Sequence, residues 1–128
     1  MRPLVLLAWL QGIFYVITGV WPLLSMATFE AVTGPKVDDW LVKTAGVLIT
    51  AIGAALLTGA RRRHIGPELV VLAIGSAAGL AGIDLVYALG DRISDVYLMD
   101  AVVEIGLVLA WGVAWALAGR RRTPDLTP

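Results

Sequence analysis

Residues 96–119 read VYLMDAVVEIGLVLAWGVAWALAG, and this stretch decides how the rest of the chain is read. Its length suits an α-helix crossing a hydrocarbon core, which takes ~20 apolar residues. Yet it carries Asp100 and Glu104. Tyr97, Asp100, Glu104, Trp111 and Trp115 recur at helical spacing, so they lie along one face. A carboxylate at the centre of a membrane helix costs ~2.5–3.5 kcal/mol on insertion scales. Two on one face mark either a functional site or a polar network that fixes helix packing.

Composition agrees with a membrane setting. Of 128 residues, 59% are hydrophobic and 16% charged, with a mean hydropathy of +0.83. Soluble domains average ~45–50% apolar and ~25% charged residues. Three further apolar runs cover about 4–26, 40–60 and 67–90. Inside a bilayer each run must pair its backbone groups internally, so each is expected to be an α-helix. The fold class is therefore all-α, a four-transmembrane-helix bundle in one domain over residues 1–122, with a disordered tail at 123–128. The first run exceeds the ~7–15 apolar residues of a signal peptide, although Ser25-Met26-Ala27 looks like a cleavage site. Pro22 is expected to kink the end of that helix.

The connections carry boundary signals. Asp38 or Asp39 suits the cap of the second helix. Pro67 and Glu68 suit the first turn of the third. Gly34-Pro35 is a stop. Ser25–Thr33 reads either as a short interfacial helix burying Phe29 or as a polar loop.

Arginines set the orientation. Arg2, Arg61, Arg62, Arg63, Arg120, Arg121 and Arg122 fall at one end of the bundle; Lys36 and Arg92 fall at the other, with Lys43 just inside it. The positive-inside rule then puts both termini in the cytoplasm of a multi-pass cell-membrane protein. Orientation and contact with anionic lipid account for the two arginine triplets. Membrane lipids are thus the expected partners, and nucleic acid is not.

With that orientation, Lys43, Asp84, Asp100 and Glu104 all lie in the outer half of the membrane. Lys43 falls on a stripe with Trp40, Val47, Thr50 and Ala54. Asp84 shares one with Ala77, Leu80 and Tyr87. The first helix offers Gln11, Tyr15, Thr18 and Pro22. The expected ligand-binding set is Lys43, Asp84, Tyr87, Tyr97, Asp100 and Glu104. Three acids face one lysine. Either a carboxyl keeps its proton, or Arg92 or Lys36 reaches in, or a cation or cationic ligand completes the balance.

The missing motifs narrow the chemistry. There is no cysteine and one histidine, His64. That argues against thiolate catalysis, iron–sulfur clusters, paired-histidine haem ligation and ordinary zinc enzymes. No phosphate loop, nucleophile elbow or dinucleotide fingerprint occurs. No metal or cofactor is expected. Catalytic residues stay unassigned, although Glu104 with Asp100 leaves acid–base work open. Three functions remain: binding of a small amphipathic, lipid or cationic ligand; an accessory or assembly subunit; proton-coupled transport as an oligomer.

Glycines supply the last pattern. Gly75, Gly79 and Gly82 line the face of the third helix nearly opposite Asp84, where a neighbouring helix or a second protomer could pack. Gly46 and Gly53 are a heptad apart, as are Gly12 and Gly19, which is expected to bring the first two helices close.

Gly12-x-x-Tyr15-x-x-x-Gly19, then Phe29, then Gly46 and Gly53, resembles the small DoxX-like bacterial membrane proteins. The segment Thr33-Gly34-Pro35-Lys36-x-Asp38-x-Trp40-Leu41-Val42 is similar to one in other small bacterial four-helix membrane proteins. The resemblance implies a compact four-helix protein of the bacterial inner membrane and carries no catalytic residues with it.

Overall fold

The structure, a computed structural model, describes residues 3–34, 39–89 and 96–122, with side chains of the last helix as far as residue 118. Pro35, Lys36, Asp38, Arg92 and the tail 123–128 lie outside the described residues. Five helices follow in order: α1 (Pro3–Leu24), α2 (Met26–Thr33), α3 (Asp39–Arg62), α4 (Pro67–Leu89) and α5 (Val96–Arg122). All except α2 are long and apolar enough to cross a membrane. Their outward faces carry large apolar side chains, such as Ile17, Leu48, Val71 and Val102. A contiguous apolar exterior on every long helix matches hydrocarbon as its solvent. The fold is that of a small multi-pass membrane protein.

Four crossings put the start of α1, the α3–α4 connection and the end of α5 at one end, here the termini end. The short α2 lies at the other.

The helices form two close pairs, α1 on α3 and α4 on α5; the pairs meet more lightly, through α1 on α5 and α3 on α4. The α1–α3 contact is backbone on backbone. A Cβ added to Gly46 would lie 2.6 Å from the Gly19 carbonyl oxygen, and one added to Gly53 would lie 2.8 Å from that of Gly12. Only glycine permits this approach, so the two heptad-spaced glycine pairs interlock as their spacing predicts. Pro22 stays inside α1 and packs on Gly46. Gly75, Gly79 and Gly82 have no described atom within 4 Å of an added Cβ.

The termini end is closed by an apolar core of Val5, Ala8, Leu56, Ala60, Ile65, Val70, Ala73 and Trp111. The α3–α4 connection is tight there. Arg63 adopts φ 56°, while His64 N–H donates to the Gly59 carbonyl at 3.1 Å and Arg63 N–H to that of Ala60 at 3.1 Å. That is a Schellman C-cap with arginine in the left-handed position where glycine is usual.

Ser25–Thr33 takes the helical alternative. The Ser25 hydroxyl caps α2 by accepting from Thr28 N–H at 3.4 Å. Gly34, at φ 96°, ends it with N–H donating to the Glu30 carbonyl at 2.7 Å. Trp21 ties α2 back onto α1. Its indole N–H donates to the Thr28 hydroxyl at 2.9 Å. Its ring meets Phe29 edge-on with centroids 5.4 Å apart.

Candidate functional site

The polar groups of the bundle come together between the two helix pairs, toward the α2 end. The floor is built first. Gln11 of α1 is wholly buried. Its amide Nε2 donates to the Ala73 carbonyl of α4 at 3.1 Å, and its Oε1 accepts from Trp111 Nε1 of α5 at 2.7 Å. One side chain thus joins three helices, each polar atom of the amide in use. Toward the termini lies the apolar core; toward α2 lies the acid group.

One turn above Gln11, the Tyr15 hydroxyl donates to Glu104 Oε2 at 2.8 Å. Tyr15 and Glu104 are 1% and 0% exposed. The second oxygen, Glu104 Oε1, has no hydrogen-bond partner, and neither does Asp84 Oδ2. Asp84 is 4% exposed. Its side chain lies within hydrogen-bonding reach of Asp100. Buried carboxylate oxygens are ordinarily paired, because an orphaned one costs ~1–3 kcal/mol. Two such oxygens call for donors, either a proton kept by one of the carboxyl groups or a group from elsewhere.

Asp84 and Glu104 are among the residues that border a partly enclosed space of about 230 Å³. Its walls come from every helix: Phe14, Tyr15, Thr18 and Trp21 of α1, Phe29, Val32 and Thr33 of α2, Ile49 of α3, Leu80 and Asp84 of α4, and Val96, Tyr97, Asp100 and Glu104 of α5. Among the described lining residues there are three carboxyl groups and no basic side chain. Aromatic and aliphatic groups make up most of the remainder. No described group of three His, Cys, Asp or Glu side chains is placed to hold a metal ion.

The structure brings four of the six expected residues together: Asp84, Tyr97, Asp100 and Glu104. Lys43 and Tyr87 are corrections. Lys43 is exposed on α3. The cause is the rotation of α3, which the glycine seam fixes. With Gly46 against α1, Ile49 and Leu56 fall about 60–80° to one side, toward the space and the core. Lys43 and Val47 fall about 60–100° to the other side, outward. Of the expected stripe, Trp40, Lys43, Val47 and Ala54 are exposed, while Thr50 turns to α1 beside Gly19. Tyr87 is 39% exposed. It sits about 60° around α4 from Asp84, on the flank away from Ala77, Ala81 and Ala88, which are buried.

Tyr15 is the residue that the expected set lacked. Its stripe on α1 with Gln11 and Thr18 was the available signal; its partner on α5 was not visible without knowing which helices touch. The α2 contribution was likewise hidden, since Phe29, Val32 and Thr33 reach the site only because α2 folds back on Trp21.

A second recess of about 520 Å³ lies between α1 and α5 at the termini end. Pro3, Leu6, Leu7, Leu109, Ala110, Val113, Ala114 and Leu117 line it. An all-aliphatic wall on a membrane helix pair suits an acyl chain and offers no chemistry.

Comparison with protein-family models, with curated proteins and with solved structures finds no match to this chain, so the site is read from its own geometry.

Proposed function

We propose that this protein binds a small amphipathic ligand in the space between its two helix pairs. One observation carries the reading. Asp84 Oδ2 and Glu104 Oε1 are buried without partners, and both residues border the same partly enclosed, largely apolar space. A structural network would close on itself, as Gln11 does with Trp111 and Ala73. The acid group does not close on described partners in that way. Binding is favoured over passage across the membrane by the other half of the bundle. The Gln11 bridge and the apolar core lie between the space and the termini end. On the positive-inside reading both termini are cytoplasmic, and the space opens toward the outer leaflet.

Trp21 is the tryptophan bordering the space and serves as a reporter. In lipid nanodiscs, bromohexanol, whose bromine quenches indole fluorescence, should quench saturably. The saturable part should vanish in Trp21→Phe and weaken when Ile49→Phe and Leu80→Phe fill the space. Quenching that rises linearly with probe in the lipid, and ignores the filling substitutions, contradicts the reading.

A further inference from the structure

We infer that the ligand's polar end is a protonated primary or secondary amine, carried on an apolar body of about six carbons. The inference rests on the reading that the space holds a ligand, and it names the class. An ionised carboxylate only accepts, so in that state Asp84 Oδ2 and Glu104 Oε1, which have no described partner, ask for N–H or O–H donors. They sit on different helices, α4 and α5, so one donor cannot serve both unless it carries two hydrogens. Tyr15 holds the other oxygen of Glu104, which fixes the carboxyl and leaves Oε1 as the free acceptor.

Charge makes the same selection. Three carboxyl groups border the space, and no basic side chain does among the described lining residues. An anion is excluded by repulsion in a low-dielectric site, and a cation is favoured. A bare metal ion fits poorly, because no three described ligating groups converge. The remaining wall is apolar and aromatic, with the rings of Phe14, Trp21 and Phe29 around it. Such rings favour an organic cation through their faces and the alkyl body through contact. A quaternary ammonium has the charge but no N–H, so both acceptors would stay orphaned. An alkanol has a donor but no charge. Only the N–H-bearing ammonium answers both demands.

Size follows from the volume. An apolar cavity of ~150 Å³ holds benzene, so a space of about 230 Å³ holds about seven to nine non-hydrogen atoms. Hexylammonium has that size.

The test is displacement of bromohexanol, read by Trp21 fluorescence, from the full chain in phosphatidylcholine nanodiscs, whose zwitterionic surface does not concentrate cations. Hexylammonium is expected to displace the probe at a concentration about tenfold or more below that of hexyltrimethylammonium or hexanol. Hexanoate should not compete. Glu104→Gln and Asp84→Asn should each shrink the ratio of hexylammonium to hexanol potency toward one. The probe series on the unaltered protein decides the matter even where a variant does not fold. Equal potency of hexyltrimethylammonium and hexylammonium overturns the N–H requirement. Hexanol or hexanoate as the best competitor overturns the amine, while the ligand-binding reading stands. If bromohexanol itself never saturates, the underlying reading falls as well.

Discussion

Replacing Tyr15 with phenylalanine removes one oxygen and tests the wall of the site. In the native protein that hydroxyl donates to Glu104 Oε2 at 2.8 Å and joins α1 to α5. Without it, neither oxygen of a wholly buried carboxyl keeps a described partner. In water-soluble proteins an orphaned buried group of this kind costs ~1–3 kcal/mol. In membrane helices the interaction measured by double-mutant cycles averages ~0.6 kcal/mol and reaches ~1.7, because the unfolded state in lipid also finds partners. Full burial, a short distance and a carboxyl acceptor put this pair toward the upper end. Tyr15→Phe should therefore destabilise by ~1–2 kcal/mol. Glu104→Leu should cost less, since it removes the unpartnered Oε1 along with the bond. The double variant should cost about as much as Glu104→Leu alone, giving an interaction close to the Tyr15→Phe loss, ~1–1.7 kcal/mol. Reversible unfolding in mixed micelles, followed by helical circular dichroism or by steric trapping, measures the cycle. Additivity within ~0.5 kcal/mol would show that the two side chains do not interact, and the site as built here would be wrong.

Other consequences are independent of that pair. Gly46→Leu should abolish the native bundle, because even a Cβ at Gly46 meets the Gly19 carbonyl at 2.6 Å. Gly79→Ala, where no described atom lies within 4 Å, should be neutral or stabilising by up to ~1 kcal/mol; a loss would reveal a second molecule packed on that face. Lys43→Gln should leave bromohexanol quenching unchanged, since Lys43 is exposed on the outward flank of α3; a large change would return it to the site. The chain has no cysteine, so single cysteines report topology without background. Ala27→Cys should label from outside intact cells and Arg62→Cys only after permeabilisation; the reverse pattern would invert the orientation.

The four long helices were legible because each apolar run is near bilayer length and its breaks carry cap signals such as Pro67 and Glu68. The α1–α3 contact was legible too, since Gly12, Gly19, Gly46 and Gly53 share one spacing that only close approach uses. The acids on α4 and α5 could be assigned to one depth from topology alone. What failed was rotation. A helix in lipid has no polar outside to contrast with its inside, so the stripe holding Lys43 looked as plausible inward as the glycine face that in fact turns to α1. The partner of Glu104 was hidden for a related reason. Tyr15 and Glu104 are 89 positions apart, and nothing in the sequence says that α1 neighbours α5. The cover that α2 provides depends on Trp21 bonding to Thr28 and stacking on Phe29, a local fold that competes closely with an ordinary loop.

Intermolecular nuclear Overhauser effects from hexylammonium to isotope-labelled protein in nanodiscs report whether a ligand sits between the helix pairs. Contacts are expected from the ligand methylenes to the rings of Phe14, Trp21 and Phe29, which border that space. Contacts confined to Leu6, Leu109, Val113 and Leu117 in the aliphatic recess at the termini end would contradict that placement.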